Sequence, residues 1–150
     1  MMTQTAIEDK KAIAQKFSRA ARYYDEASFI QKEIGHRLLE RCQWLKQSPQ
    51  TILNIGSATG RLAFELQKLY PKAQIIGLDH AWGMSELSHQ KRVKKFFKNT
   101  PSFLCADMEI LPFRAKTFDL IISNCTLEWS RALPGLALEF KRVLKENGNL

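Results

Sequence analysis

The sequence predicts an α/β fold, an open and doubly wound parallel sheet preceded by a helical segment. Three observations predict it. Short apolar runs recur at 51–55, 74–78, 102–105 and 118–123, the pattern of strands buried in a parallel sheet. Helical periodicity fills most of the intervals between them. Each run stops at or just before a Gly, Asp or Asn, where open parallel sheets bind ligands beyond their carboxyl ends.

The elements follow in order. Residues 7–23 contain few breakers and read as a first helix. Asp25 offers an N-cap to a second. On that helix Ile30, Ile34, Leu38, Cys42 and Leu45 recur at helical spacing and predict one buried face. Ser48-Pro49 ends it. Thr51-Ile52-Leu53-Asn54-Ile55 is the first strand and stops at Gly56. Leu62, Leu66, Leu69 and Tyr70 line the next helix. Gln74 to Leu78 is the second strand and stops at Asp79; a helix over about 83–98 follows. Ser102 to Cys105 stops before Asp107, and a loop around Leu111-Pro112-Phe113 leads to Phe118 to Ser123, which stops at Asn124. Leu133, Leu136, Phe140, Val143 and Leu144 form the face of a last helix before Asn147-Gly148. The predicted organisation is an N-terminal helical segment, 1–48, and a sheet domain, 49–150, with about four parallel strands.

A chain of 150 residues, 45% hydrophobic and 25% charged, suits one globular domain. No apolar run approaches a membrane span, and Met1 to Lys11 lacks the apolar centre of a signal peptide. Cys42, Cys105 and Cys125 are scattered, which predicts buried free thiols in a reducing cytoplasm and no disulfide framework. Those cysteines and His36, His80 and His89 form no metal-ligand spacing, so no metal is expected. The net charge of +8 favours an acidic partner or substrate. Its densest stretch, Lys91, Arg92, Lys94, Lys95 and Lys98, reads as a solvated helix face. The aromatic and basic motifs of RNA-binding domains are absent, so a nucleic-acid partner is not expected.

Four positions carry the chemistry. Gly56-Ser57-Ala58-Thr59-Gly60 joins the first strand to its helix. It reads equally as a tight turn or as a loop bringing an anion to a helix N-terminus. The dinucleotide fingerprint fails, because Ala58 and Arg61 stand where its second and third glycines belong. Asp79 is placed to accept both hydroxyls of a ribose, or to cap the next helix. Asp107 is placed to accept from an adenine amino group with Met108 against the ring, or to stabilise a turn. Asn124 ends the fourth strand across the cleft from Gly56, facing the ligand or capping a helix.

Together these residues resemble the class I methyltransferases that use S-adenosylmethionine (SAM). Leu53-Asn54-Ile55-Gly56-Ser57-Ala58-Thr59-Gly60 looks like their first motif, and Gly77-Leu78-Asp79 with Met84 like the second. Asp107-Met108-Glu109 with Leu111-Pro112-Phe113, then Phe118-Asp119-Leu120-Ile121, looks like the motifs that follow. The resemblance implies a Rossmann-like sheet. It implies a cofactor held by Asn54, Gly56, Ser57, Ala58, Gly60, Asp79, His80, Met84, Asp107, Met108 and Asn124.

A narrower resemblance starts upstream. Phe17-Ser18-Arg19-Ala20-Ala21, Tyr23-Tyr24-Asp25 and Gln31, with Asn124 and Leu127-Glu128-Trp129, are similar to the malonyl-[acyl-carrier-protein] O-methyltransferases of biotin synthesis. That family's N-terminal segment covers the cofactor cleft, which implies lid roles for Arg19, Tyr23, Tyr24 and Gln31. It implies a malonyl thioester on an acidic carrier protein, steered in by the basic surface. A malonyl carboxylate is ionised at neutral pH, so no acid–base residue is named.

The chain departs from this pattern in three places. The family's acidic residue at the end of the first strand is Asn54, and its second motif glycine is Ala58. A methyl group at a left-handed position costs on the order of 1 kcal/mol. The sequence stops at Gly148-Asn149-Leu150, where the fifth of the family's seven strands should begin. Four strands with an open apolar edge predict self-association. The alternatives are a truncated, non-catalytic relative, or a methyltransferase of the same fold acting on RNA or a small molecule.

Overall fold

Four apolar runs form the expected strands because pairing side by side buries both of their faces. In the structure, a computed structural model that describes residues 4–94 and 99–150 with side chains from residue 10 onward, these are β1 (Thr51–Ile55), β2 (Gln74–Asp79), β3 (Ser102–Cys105) and β4 (Phe118–Ser123). A fifth strand, β5 (Leu144–Asn149), makes one more than the four expected. The sheet order is β3-β2-β1-β4-β5, parallel throughout. Chain direction across the sheet reverses between β1 and β4, which opens a crevice at their carboxyl ends.

Helices pack on both faces. Ile52, Ile75, Leu120 and Ile122 meet Cys42, Leu62, Ala63 and Leu66 on one side. Leu53, Ile55, Leu78 and Ile121 meet Leu136, Phe140 and Val143 on the other. The helices are α1 (Gln4–Ala27), α2 (Phe29–Cys42), α3 (Arg61–Leu69), α4 (Trp82–Val93) and α5 (Leu133–Val143), with a 3-10 turn at Leu127–Trp129. No helix among the described residues is long and apolar enough to cross a membrane.

Several expectations are corrected. Asp25 does not cap the second helix. It lies in the last turn of α1, Ser28 holds the N-cap position, and the Asp25 carboxylate reaches across to other elements. α2 ends at Cys42, before Ser48-Pro49. Its periodic face is buried only toward its C-terminus, where Cys42 joins the core; Ile30 is 66% exposed and Ile34 is also exposed. The periodicity is genuine, but this half of α2 packs through Gln31 and Gly35 against Asn124 and Leu62, and Ile30 and Ile34 are left facing solvent. Leu133 is likewise exposed on α5. β3 is half-exposed because it is an edge strand. Cys42 is buried, whereas Cys105 and Cys125 are only partly so. α4 is described to Val93, and Lys95, Lys98 and the remainder of the predicted 83–98 helix lie outside the described residues.

β5 also changes the edge. Leu144 leaves the helical face and pairs with Phe118, and Asn149 pairs with Leu120 across a register irregularity. The Lys116 and Thr117 N–H groups donate to the Arg142 and Val143 carbonyls, seating the strand. The β4 edge expected to be open is therefore covered. The new edge carries Lys145, Glu146, Asn147 and Asn149, polar side chains that discourage edge pairing.

Candidate functional site

The crevice between β1 and β4 has a floor set by backbone conformation. Gly56 has φ +64°, and a Cβ there would run into the Thr126 side chain, so only glycine fits. Ala58 adopts a left-handed φ of 46° with its methyl group in place. Gly60, φ 84°, precedes α3, and no side chain caps that helix at this position.

Asp79 is fixed from two sides. Its Oδ2 accepts from the Ala58 N–H at 2.8 Å and its Oδ1 from the Ala81 N–H at 2.9 Å. Burial pushes its carboxyl above the usual carboxylate range, against the pull of those backbone donors. Each oxygen keeps a further acceptor direction. Asp107 is pinned differently. Its Oδ1 accepts from the Glu109 N–H at 2.9 Å and its Oδ2 from Lys10 Nζ at 2.8 Å. Burial works to raise this carboxyl as well, but the Lys10 ammonium and the Glu109 N–H outweigh it and hold it low.

α1 roofs the cleft. Lys10, Ile13, Ala14, Phe17 and Tyr24 line it, one stripe at helical spacing. Lys10 also contacts Glu109 Oε2 at 2.5 Å, and Glu109 Oε1 accepts from the Ser130 hydroxyl at 2.7 Å. Phe17 meets Trp129 edge to face at 5.4 Å. Midway along, the Gly83 N–H donates to Ser18 Oγ at 3.1 Å, and the missing Cβ of Gly83 lets the α1 backbone rest on α4. At the far end, the Asp25 carboxylate accepts from the Thr59 hydroxyl at 2.5 Å and from Lys91 Nζ at 2.6 Å. The cleft holds about 790 Å³ of empty space, its open mouth included.

The structure brings most of the expected residues together. Gly56, Ala58, Asp79, His80, Met84, Asp107, Met108, Asn124 and Tyr24 line the cleft. Ser57 and Gln31 line an adjoining one, and the Gln31 carbonyl accepts from Asn124 Nδ2 at 2.7 Å. Asn54 and Gly60 line neither. Asn54 is 1% exposed, with a long 3.4 Å contact from Nδ2 to the Ile122 carbonyl. Two lid candidates, Arg19 and Tyr23, lie off the α1 stripe and face solvent in this structure. Tyr23 is 61% exposed beneath the Arg22 guanidinium. Among the described residues, three buried polar atoms at these strand ends have no hydrogen-bond partner: Asn54 Oδ1, Ser123 Oγ and Asn124 Oδ1.

Sequence reasoning missed Lys10, Cys125 and Thr126 as site residues. For Lys10 the available signal was its spacing to Ile13, Ala14 and Phe17. Its acidic partners lie 97 and 99 residues away, and no local pattern announces them.

The "Methyltransferase domain" family matches residues 53–150. A malonyl-[acyl-carrier protein] O-methyltransferase from Gallionella capsiferriformans is 41% identical over 145 residues, 95% of this chain and 50% of the relative. One of the same name from Legionella pneumophila is 41% identical over 92% of this chain and 48% of its own. The chain thus spans about half the length of the curated relatives it matches. Among solved structures, the Haemonchus contortus phosphoethanolamine N-methyltransferase 1, in complex with S-adenosylhomocysteine, superposes with a TM-score of 0.76 at 18% identity. It covers 99% of this chain and 32% of that one, and supports the fold alone. On the match over 53–150, this chain belongs to the methyltransferase-domain family and carries the Rossmann-like fold of the SAM-dependent enzymes.

Proposed function

We propose that this protein is a SAM-dependent O-methyltransferase that esterifies the free carboxylate of a malonyl thioester on an acidic acyl carrier protein, in biotin synthesis. The observation that carries the reading is the roofed cleft at the switch point, with one carboxylate held by two backbone N–H groups and a second pinned by a lysine of the roof. The names of the curated relatives supply the substrate class.

The residues present fit the cofactor. Asp79 would hold the ribose hydroxyls and Asp107 the adenine amino group, with Met84, Met108 and Phe17 as apolar wall. The buried Asn124 Oδ1 lacks a donor, and an α-ammonium would provide one. Ala58 keeps the loop's left-handed turn and its N–H still serves Asp79, so the glycine-to-alanine departure is accommodated. In this reading residues 1–48 cover the cleft and 49–150 form its floor.

When bound, SAM supplies an electrophilic methyl group on a sulfonium. The chain's own contribution is positioning and dryness. An ionised carboxylate acceptor needs no general base. α1, tied down at Lys10, Ser18 and Asp25, excludes water from the reacting groups. The test is transfer of labelled methyl from SAM to malonyl-carrier protein by the full-length protein, with RNA as a control acceptor. Label on the carrier in a base-labile ester is expected. Label on RNA instead, or S-adenosylhomocysteine binding with no transfer at all, would overturn the substrate or the activity respectively.

A further inference from the structure

A second, open chamber adjoins the cofactor cleft, with about 480 Å³ of empty space, its mouth to solvent included. The two share Tyr24, Gly56, Ala58 and Asn124 as common lining. α2 supplies the outer side of the second chamber, through Gln31, Lys32 and Gly35. Its charges are nearly all spoken for. Asp25 is held by Lys91 and Thr59, and Arg61 Nε pairs with Glu65 at 3.2 Å. Lys32 is held more loosely, acting on the Asp25 carboxylate only at longer range. Its half-buried ammonium donates to the backbone carbonyl of Asp25, and it forms no ion pair with a carboxylate among the described residues. That bond uses one of three donors.

We propose that this chamber receives the methyl acceptor and that Lys32 is the counter-charge for its carboxylate. The inference rests on the methyl-transfer reading above and adds to it a chamber and a specificity-determining residue. In-line displacement requires the acceptor and the leaving sulfur on opposite sides of the methyl carbon. Two chambers meeting along Gly56 and Asn124 provide two approaches to one point. A carboxylate oxygen lone pair forms the new C–O bond, the C–S bond breaks with its electron pair passing to sulfur, and no proton moves.

This reaction destroys charge, since a carboxylate and a sulfonium give a neutral ester and a neutral thioether. A cation beside the carboxylate therefore holds the ground state more tightly than the transition state. Its contribution belongs in KM, with kcat held or even raised when it is lost. A single partly exposed ammonium meets that need, because a rigid bidentate clamp would oppose the loss of charge.

The experiment uses the full-length protein and a matched pair of ligands, malonyl-pantetheine and its neutral carboxamide isostere. Wild type is expected to favour the carboxylate by about tenfold. Lys32→Met should abolish that preference and raise KM for the malonyl substrate, while Lys32→Arg retains it. S-adenosylhomocysteine affinity should match in all three proteins. A preference that persists in Lys32→Met overturns the inference and leaves the methyl-transfer reading standing. A parallel loss of S-adenosylhomocysteine affinity also overturns it, showing Lys32 to be a cap for α1. Failure of wild type to bind or methylate the malonyl thioester overturns the substrate reading and this inference with it.

Discussion

The two ends of the sheet are built on opposite principles. At the amino ends, polar groups satisfy one another. The Asp119 carboxylate accepts from the Gln50 and Thr51 N–H groups at 3.0 and 2.9 Å and from Lys145 Nζ at 2.9 Å. The Thr51 hydroxyl lies 2.9 Å away as well. One side chain thus staples β1, β4 and β5 together. At the carboxyl ends, Asn54, Ser123 and Asn124 each leave a buried polar atom unpaired. Gly56, Ala58, Gly60 and Cys125 adopt left-handed backbone there, against Lys116 near the other end. Unpaired polar atoms and strained backbone persist where a ligand completes the structure. The contrast teaches that the amino end is finished by the chain itself and serves stability, whereas the carboxyl end is left open to a partner.

The largest effect is expected at the open end. Asp79→Asn should weaken S-adenosylhomocysteine binding about 100-fold by calorimetry, since hydrogen bonds to a charged acceptor contribute on the order of 1.5–3 kcal/mol each. The substituted amide would also turn an N–H toward the Ala58 or Ala81 N–H. Wild-type affinity should fall as pH drops through the Asp79 carboxyl, which burial holds above the ordinary range. In Asp79→Asn that slope should vanish. Unchanged affinity in the variant would break the assignment of the carboxyl end to binding.

A smaller effect, on a different observable, is expected at the closed end. Asp119 titrates at about 2, below its ordinary 3.8. Burial opposes this, but Lys145, the Thr51 hydroxyl and the two N–H donors outweigh it. A lowered folded-state pKa means stability present above pH 4 and lost as pH falls through 2. Asp119→Ala should cost about 2 kcal/mol in urea unfolding at neutral pH, after allowing for its partial exposure. It should remove the share of the acid slope that Asp119 carries, beside those of the other lowered carboxyls such as Asp107, and leave S-adenosylhomocysteine affinity intact. A loss of affinity equal to that of Asp79→Asn would erase the distinction between the two ends.

The smallest effect sharpens the comparison. Ala58→Gly relieves a left-handed alanine and should stabilise the protein by roughly 0.5–1 kcal/mol in the same unfolding measurement. A destabilisation would show that the loop carries no strain at this residue.

Much of this was legible from the chain. Four strands, the loop at Gly56 and the strand-end carboxylates at Asp79 and Asp107 were readable, because apolar runs and their stops are local patterns. β5 was not. Leu144-Lys145-Glu146-Asn147-Gly148-Asn149 has weak strand propensity and becomes a strand by pairing with β4. Ile30 and Ile34 of α2 show the converse. A regular apolar period predicts a buried face only where a neighbour exists to cover it.

The sequence by itself determined the order of the elements and the residues that end each strand beside the cleft. These follow from periodicity and from backbone preferences that act over a few neighbouring residues. Only the tertiary structure decided which face of α1 roofs the cleft. It brought Lys10 to Asp107 and Glu109 and Asp25 to Thr59 and Lys91. It also turned Arg19 and Tyr23 away and left Lys32, among the described residues, with no carboxylate in ion-pair contact beside the second chamber. The reason is that an ion pair across such a separation is set by packing, and neither partner's local sequence carries its signal.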